Sequence, residues 1–363
     1  MTRARDGSRA SDFEYDLPAD RIAKYPEARR DESRLLVVDH GHDAAGGTPR
    51  RAFGHVAFAD VVDLFRPGDV LVVNESKVLP ARLLGRKPTG APSEILLIRP
   101  GPEADDPLVW EALVRPGSKL KPGRSVIVGD DLSIEILDSV PGGGRLVRLR
   151  TDLTVEEALD RYGHMPLPPY INRDDEPSDR ERYQTVYART PGSVAAPTAG
   201  LHFTDDLLGR LREHGVRRAD VTLHVGIGTF RPVEVEDPAR HEMHEEWYEV
   251  TPAAAETING ARADGGRVWA VGTTVVRTLE SVSDASGRVV PGAGGTSLFV
   301  HPGYDFRAVD CMLTNFHLPR STLLMLVAAF AGYETTLDAY REAISEGYRF
   351  YSYGDAMAVI SSP

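Results

Sequence analysis

Apolar positions along this chain fall into two textures. RLLVVD from Arg34 and VLVVNES from Val70 are continuous apolar runs, which predicts short strands buried on both faces. Between them HGHDAAGGTP reads as a turn, and FADVVDLFRPGD as a short helix stopped by Pro67 and Gly68. From about Lys77 the texture changes. ARLLGRK, EILLIRP, VWEALVRPG, RSVIVGD, LSIEILD and GRLVRLR are short apolar runs separated by PTGAPS, GPEADDP, SKLKPG and PGGG. Short strands at regular spacing, each closed by Gly, Pro or Asp, predict a sandwich or small barrel. TVEEALDRYG then opens a helix, and strands and helices alternate to the end. LFVHPGY and VDCMLTNF read as strands in that stretch, and the apolar run from Ser321 and LDAYREAISEG as helices. The predicted fold class is α/β: a larger, discontinuous α/β domain over residues 1–75 and 153–363, with a small antiparallel β-barrel domain inserted at 76–152. A length of 363 residues fits two domains. Met1 to Ser11, polar and without periodicity, read as disordered.

Glu181 to Thr204, ERYQTVYARTPGSVAAPTAGLHFT, follows neither texture. It sets hydroxyls, an amide and an imidazole among Pro191, Gly192, Pro197 and Gly200. Small residues admit a ligand close to the backbone, and prolines fix its path. Thr204 is a candidate N-cap, followed by Asp205 and Asp206 at the positive end of a helix. This is either a ligand loop or a surface connection. Four other loops, VVNESKVLPAR, LHVGIGTFRP, AVGTTVVRTLE and LTNFHLPRST, place Gly, Thr, Ser, Asn or His just after an apolar run. Ligands of open α/β sheets gather at such strand ends. GIGTF falls short of the dinucleotide fingerprint and no P-loop occurs, which excludes nucleotide hydrolysis and ordinary dehydrogenase readings.

Composition changes this picture little; charge changes it more. Hydrophobic content is 41% and charged content 26%, as in ordinary soluble domains. The single cysteine, Cys311, lies in a predicted buried strand. The N-terminus lacks a signal-like apolar run and STLLMLVAAFAG is too short to span a bilayer, so the expectation is a cytoplasmic protein without a membrane partner. Net charge is −12, yet Lys77 to Arg124 holds nine Lys and Arg against five acids. Within it, Arg82, Arg115, Lys119 and Lys121 suit phosphate contact; a solvated loop is the alternative. HEMHEE, with His241 and His244, is not the helical zinc motif, and nothing fixes a third ligand, so no metal is expected. Arg277 and Glu280 stand at i, i+3 on one predicted helix and can pair. Asp355 can bind a cation or an amine, or cap a turn.

Four blocks, YQTVYA–GSVAAPTAGLHFT, LHVGIGTFRPV, VGTTVVRTLES and TNFHLPRSTLLMLVAAFAG, closely resemble those of the S-adenosylmethionine:tRNA ribosyltransferase-isomerase family of queuosine biosynthesis. FEYDLP, RPGDVLVVNESKVLPARL, ALVRPGSKLKPG, LPPYI and YRFYSYGDAM extend the resemblance from about Asp12 to Ile360. Departures are Glu75, Ser76 and Lys77 before LPAR, Val275 in GTTVVR and Ile227 in GIGTF.

The resemblance implies transfer and isomerisation of the ribosyl part of S-adenosylmethionine onto 7-aminomethyl-7-deazaguanine at the tRNA wobble position. The product is epoxyqueuosine-tRNA, with release of adenine and methionine. It implies no cofactor, S-adenosylmethionine being consumed, and tRNA with a GUN anticodon as partner; a monomer is expected. Proton transfer is expected first of His202, then His317, with Asp355 or Glu280 at the sulfonium or amine. Substrate contacts are expected of Tyr183, Gln184, Thr185, Tyr187, Pro197, Thr198, Ala199, Gly200, His224, Gly226, Gly228, Thr229, Thr273, Thr274, Arg277 and Asn315. Rival readings are a relative acting on a free deazapurine base or nucleoside, an RNA-binding module without activity, and a metal-dependent hydrolase using the histidines.

Overall fold

The computed structural model describes residues 5–39, 52–101, 106–226 and 233–360. The predicted HGHDAAGGTP turn, from His40 on, and the site candidates Gly228 and Thr229, with Ile227, lie outside them.

Val70–Asn74 shows how the larger body is built. All five residues are buried. Val70 and Val72 pack into one apolar cluster, with Leu324 and Ile258, while Leu71 and Val73 pack into another, with Phe58 and Phe203. Successive side chains of a strand point to opposite faces, so a continuous apolar run needs cover on both sides. Helices, turns and loops supply it, giving three layers.

The sheet has nine strands. From one edge they are Gly292–Thr296, Glu246–Val250, Arg217–Leu223, Val70–Asn74, Val268–Val271, Cys311–Asn315, Ala356–Ile360, Arg34–Asp39 and Ala52–Ala57. The four from Arg217–Leu223 to Cys311–Asn315 run parallel, so their carboxyl ends emerge together.

The predicted barrel is present. Arg82–Arg86, Pro92–Pro100, Val109–Arg115, Arg145–Arg150, Ser133–Ser139 and Ser125–Ile127 pair antiparallel in that order, and Arg86 opposite Ile127 closes the ring. Its interior is apolar, with Leu83, Ile95, Leu97, Ile134 and Leu149 at 0% exposure. Gly163–His164 adds a short strand to the outside of Arg82–Arg86. Ser76–Val78 and Thr190–Ser193 form a separate parallel pair.

Three local expectations change. The strand expected at LFVHPGY falls instead on Gly292–Thr296, an edge strand held by backbone pairing to Glu246–Val250. Disorder does not extend through Ser11: Ala10 is buried, its N–H donates to the Glu236 carbonyl, and Ser11 Oγ donates to the Glu236 carboxylate at 2.7 Å. Glu181 to Thr204 is no surface connection, since most of it is buried, including Tyr183, Ser193 and Ala195 at 0% exposure.

Candidate active site

A cavity opens at the carboxyl ends of the parallel strands. One wall begins where Val268–Val271 ends. Gly272 takes φ +88°, a left-handed turn that a side chain strains, and the helix Thr273–Val282 starts at once. No side chain among the described residues caps this helix. The backbone N–H groups of Thr273 and Thr274 have no partner among the described residues, and both residues line the cavity. Free N–H groups and the helix dipole favour an anion here.

Asn74 ties the strand ends together. Its Oδ1 accepts from the N–H of Ser76 and of Leu223, both at 3.1 Å. Its Nδ2 donates to the Leu223 carbonyl at 2.9 Å and to Thr274 Oγ1 at 3.4 Å. Ser193 does the same one loop away, accepting from Val225 N–H and donating to the Ala195 carbonyl. The wall formed by Ala196, Pro197, Thr198 and Ala199 is held in this way.

Cys311–Asn315 supplies the opposite wall. Asn315 is 2% exposed. Its Nδ2 lies 3.1 Å from His202 Nε2 and within 3.4 Å of the Tyr351 and Asp355 carbonyls. Its Oδ1 is buried with no partner. An unpaired buried acceptor in a cavity wall is costly unless a ligand or water donates to it. His317 also lines the cavity. Its Nε2 is 2.7 Å from Thr314 Oγ1, and its Nδ1 has no protein partner among the described residues. Burial pushes its proton affinity down, to a pKa of about 3. Tyr170 and Tyr351 complete the wall. Tyr170 Oη and Ser352 Oγ are 2.6 Å apart. Tyr351 has φ +72°, a strained conformation for a bulky residue, held in the cavity wall.

His202 sits outside this lining. Both ring nitrogens are engaged: Nδ1 with Ser33 Oγ at 2.6 Å, Nε2 with Asn315 Nδ2. Since the amide donates to Nε2, the proton is on Nδ1, which donates a hydrogen bond to Ser33 Oγ, whose hydroxyl in turn donates to the Arg30 carbonyl at 3.4 Å. Burial, then Arg349 and Arg30, depress its pKa to about 3. The ring is a neutral connector behind Asn315.

Other candidates are held structurally. The Asp355 carboxylate accepts the N–H groups of Arg34 and Arg349 at 2.9 and 2.8 Å; burial raises its pKa despite these bonds. Glu280 accepts from the N–H groups of Arg307 and Ala308 and from Tyr304 Oη. The expected Arg277–Glu280 pair does not form. Arg277 pairs with Glu246 in a buried contact and donates Nε to the Leu298 carbonyl, while Glu246 also takes the Gly226 N–H at 2.8 Å. Gln184 clamps both backbone groups of Val78. Tyr183 and Tyr187 are packed in apolar clusters, Thr185 is buried, and the close approach of Gly200 to Tyr187 leaves no room for a Cβ there. His224 stacks on Trp247 at 5.2 Å, next to Val225 of the cavity wall.

The structure thus gathers Pro197, Thr198, Ala199, Thr273, Thr274, Asn315 and His317 at one cavity. Sequence reading missed Tyr170, Thr314, Tyr351 and Ser352 there. Their signal was present in LPPYI, TNFHLPRST and YSYGDAM, all within blocks that carry the resemblance.

The basic candidates lie on the barrel. Arg82 and Arg115 line a cleft together with Pro166, Asn172, Arg173 and Val194. Arg82 is already paired with Glu94 at 3.2 Å. Arg115, Lys119 and Lys121 are exposed and have no carboxylate partner among the described residues. Their loop is braced: Leu120 is buried, and the Arg145 guanidinium donates to the carbonyls of Gly117, Leu120, Gly143 and Gly144.

Comparison with known proteins agrees with this architecture. The family model described as queuosine biosynthesis protein matches residues 10–359. The S-adenosylmethionine:tRNA ribosyltransferase-isomerase of Symbiobacterium thermophilum is 53% identical over 97% of this chain and 100% of its own length. The protein of the same name from Moorella thermoacetica is 54% identical over 97% and 100%. A crystal structure of S-adenosylmethionine tRNA ribosyltransferase from Thermotoga maritima superposes with a TM-score of 0.54, at 36% identity, covering 96% of this chain and 99% of that one. The chain belongs to the queuosine biosynthesis protein family, a family of transferase enzymes.

Proposed function

We propose that the cavity binds S-adenosylmethionine, and that the protein transfers and isomerises its ribosyl group onto 7-aminomethyl-7-deazaguanine at the wobble position of tRNA with a GUN anticodon. Epoxyqueuosine-tRNA, adenine and methionine are the products. The single observation that carries this is the cavity itself: an uncapped helix N-terminus, an orphaned Asn315 Oδ1 and a free His317 Nδ1 converge in it, within a family whose relatives are named S-adenosylmethionine:tRNA ribosyltransferase-isomerase.

Each feature fits one part of the substrate. The N–H groups of Thr273 and Thr274 receive the methionine carboxylate. Asn315 Oδ1 accepts a hydrogen bond from the ribose hydroxyls or the adenine amine. His317, neutral and facing the cavity, is the proton-transfer group in preference to His202, whose two nitrogens are spoken for. Burial makes His317 a weak base, so the transfer relies on the sulfonium to acidify the neighbouring ribose carbon. Arg115, Lys119 and Lys121 hold tRNA phosphates. S-adenosylmethionine is consumed, and no metal or redox group is needed for these steps.

The test is incubation with S-adenosylmethionine and substrate tRNA, measuring adenine and the modified nucleoside. Both are expected, and omission of tRNA is expected to stop adenine release. Turnover on the free base would replace this reading with the nucleoside-level one. His317→Gln is expected to lower kcat at least a hundredfold, within the range of general acid–base catalysis, and to leave KM for tRNA unchanged. Near-normal turnover would remove His317 from the proton-transfer role.

A further inference from the structure

Behind the cavity lies a second, smaller pocket. The two share Ser352, and the Asn315–His202 hydrogen bond runs from one wall to the other. Three guanidinium groups, from Arg30, Arg182 and Arg349, line the small pocket, and Glu27 is its only carboxylate. Each arginine is anchored on backbone carbonyls. Arg30 donates to Leu201 and Glu181, Arg182 to Ala28 and Glu27, and Arg349 to Tyr25. These bonds fix position without neutralising charge. Arg349 Nη2 sits 2.9 Å from Glu27 Oε1 but is not aligned for a hydrogen bond. Arg182 Nε and Arg349 Nε are buried donors with no partner. Burial and then Arg182 lower the Arg30 pKa, so the cations repel one another.

Three clustered cations with one carboxylate among them, held together at a cost and with spare donors, are the arrangement that recognises an oxyanion. We propose that Arg30, Arg182 and Arg349 form an oxyanion pocket that takes a backbone phosphate of the RNA substrate beside the reacting nucleotide. This rests on the tRNA reading above. A phosphodiester is favoured over the methionine carboxylate because the Thr273–Val282 helix N-terminus already offers the carboxylate a place inside the cavity. The Asn315–His202–Ser33 chain then couples phosphate seating to the cavity wall.

Two measurements test it. In the first, thermal unfolding is followed with millimolar inorganic phosphate against chloride at equal ionic strength, without RNA or S-adenosylmethionine. Wild type is expected to gain stability, and Arg182→Gln to lose that gain. In the second, tRNA affinity is measured against salt. Arg182→Gln is expected to bind about tenfold more weakly, as for loss of one charged hydrogen bond, and to flatten the log–log salt slope by about 0.7, with KM for S-adenosylmethionine unchanged. Arg182→Lys is expected to recover part of both. Equal unfolding midpoints of wild type in phosphate and chloride would overturn the oxyanion pocket, and that arm stands even where a variant fails to fold. An unchanged salt slope, or a raised KM for S-adenosylmethionine in its place, would overturn the phosphodiester assignment. Wild type that gains stability with phosphate yet releases no adenine would instead count against the proposed function.

Discussion

Two buried imidazoles show what single residues contribute. His202 and His317 look equivalent in sequence, each close to the end of a Gly- or Pro-marked loop. Tertiary contacts separate them: one is a connector with both nitrogens bonded, the other keeps Nδ1 for the cavity. Both refuse protons until a pKa of about 3. An unfolded histidine accepts a proton near pH 6.5. Above that value the two states bind equal numbers of protons and stability is unaffected. Between it and about 3 the unfolded chain binds protons that the native state refuses, so stability falls with acidification. Each imidazole contributes up to about 1.4 kcal/mol per pH unit. Denaturant titrations at pH 7 and pH 5 are expected to show a smaller loss for His202→Gln than for wild type. An equal loss would mean that His202 is protonated in the native state.

Among elements, the Thr273–Val282 helix depends on its neighbours more than on its own sequence. Its first eight residues are all buried, including Arg277 and Glu280. The i, i+3 spacing of those two would pair them on an exposed helix face. Here the helix is enclosed, and Arg277 reaches across to Glu246 on the adjacent strand while Glu280 braces Arg307 and Ala308. Breaking a buried pair from one side leaves an uncompensated charge and costs about 3–5 kcal/mol. Glu246→Gln is therefore expected to lower stability by that order in denaturant unfolding. It also weakens the acceptor of the Gly226 N–H, next to Val225 of the cavity wall, so KM for S-adenosylmethionine is expected to rise. A stability change below about 1 kcal/mol would show that Arg277 finds another partner. Gly292–Thr296 makes the same point for strands. Three glycines carry no strand propensity, and only pairing with Glu246–Val250 makes them one.

At the scale of the whole molecule, function is divided between two bodies of opposite demand. The nine-stranded sheet brings polar loops to a small cavity, and the barrel presents a braced cationic loop. Arg145 fixes that loop's backbone, so Lys119 and Lys121 pay less ordering entropy on meeting a polyanion. Lys119→Ala with Lys121→Ala is expected to weaken tRNA binding and reduce its salt slope by about 0.7–0.9 per lost phosphate contact, with adenine release at saturating tRNA little changed. An unchanged slope would make this a solubilising loop. A cleft lined by Arg82, Arg115 and Arg173 lies beside the loop, and Val194 in its wall is two residues from Ala196 of the cavity.

The sequence by itself determined the two textures and hence the two bodies. Short continuous apolar runs rich in Val and Leu became strands covered on both faces, and short runs punctuated by Gly and Pro closed into the barrel, all six of its strands falling where the runs predicted. It also pointed to the strand-end loops, because parallel strands deliver their carboxyl ends to one side. Which side chains meet there was decided only in three dimensions. Thr198, Thr273, Asn315 and His317 come from distant loops, while Tyr183, Gln184 and Asp355, equally polar in sequence, are spent on packing and backbone hydrogen bonds. The physical reason is that a polar residue's role depends on whether its hydrogen bonds are already satisfied. Partners tens to hundreds of residues away decide that, and local pattern carries no record of them.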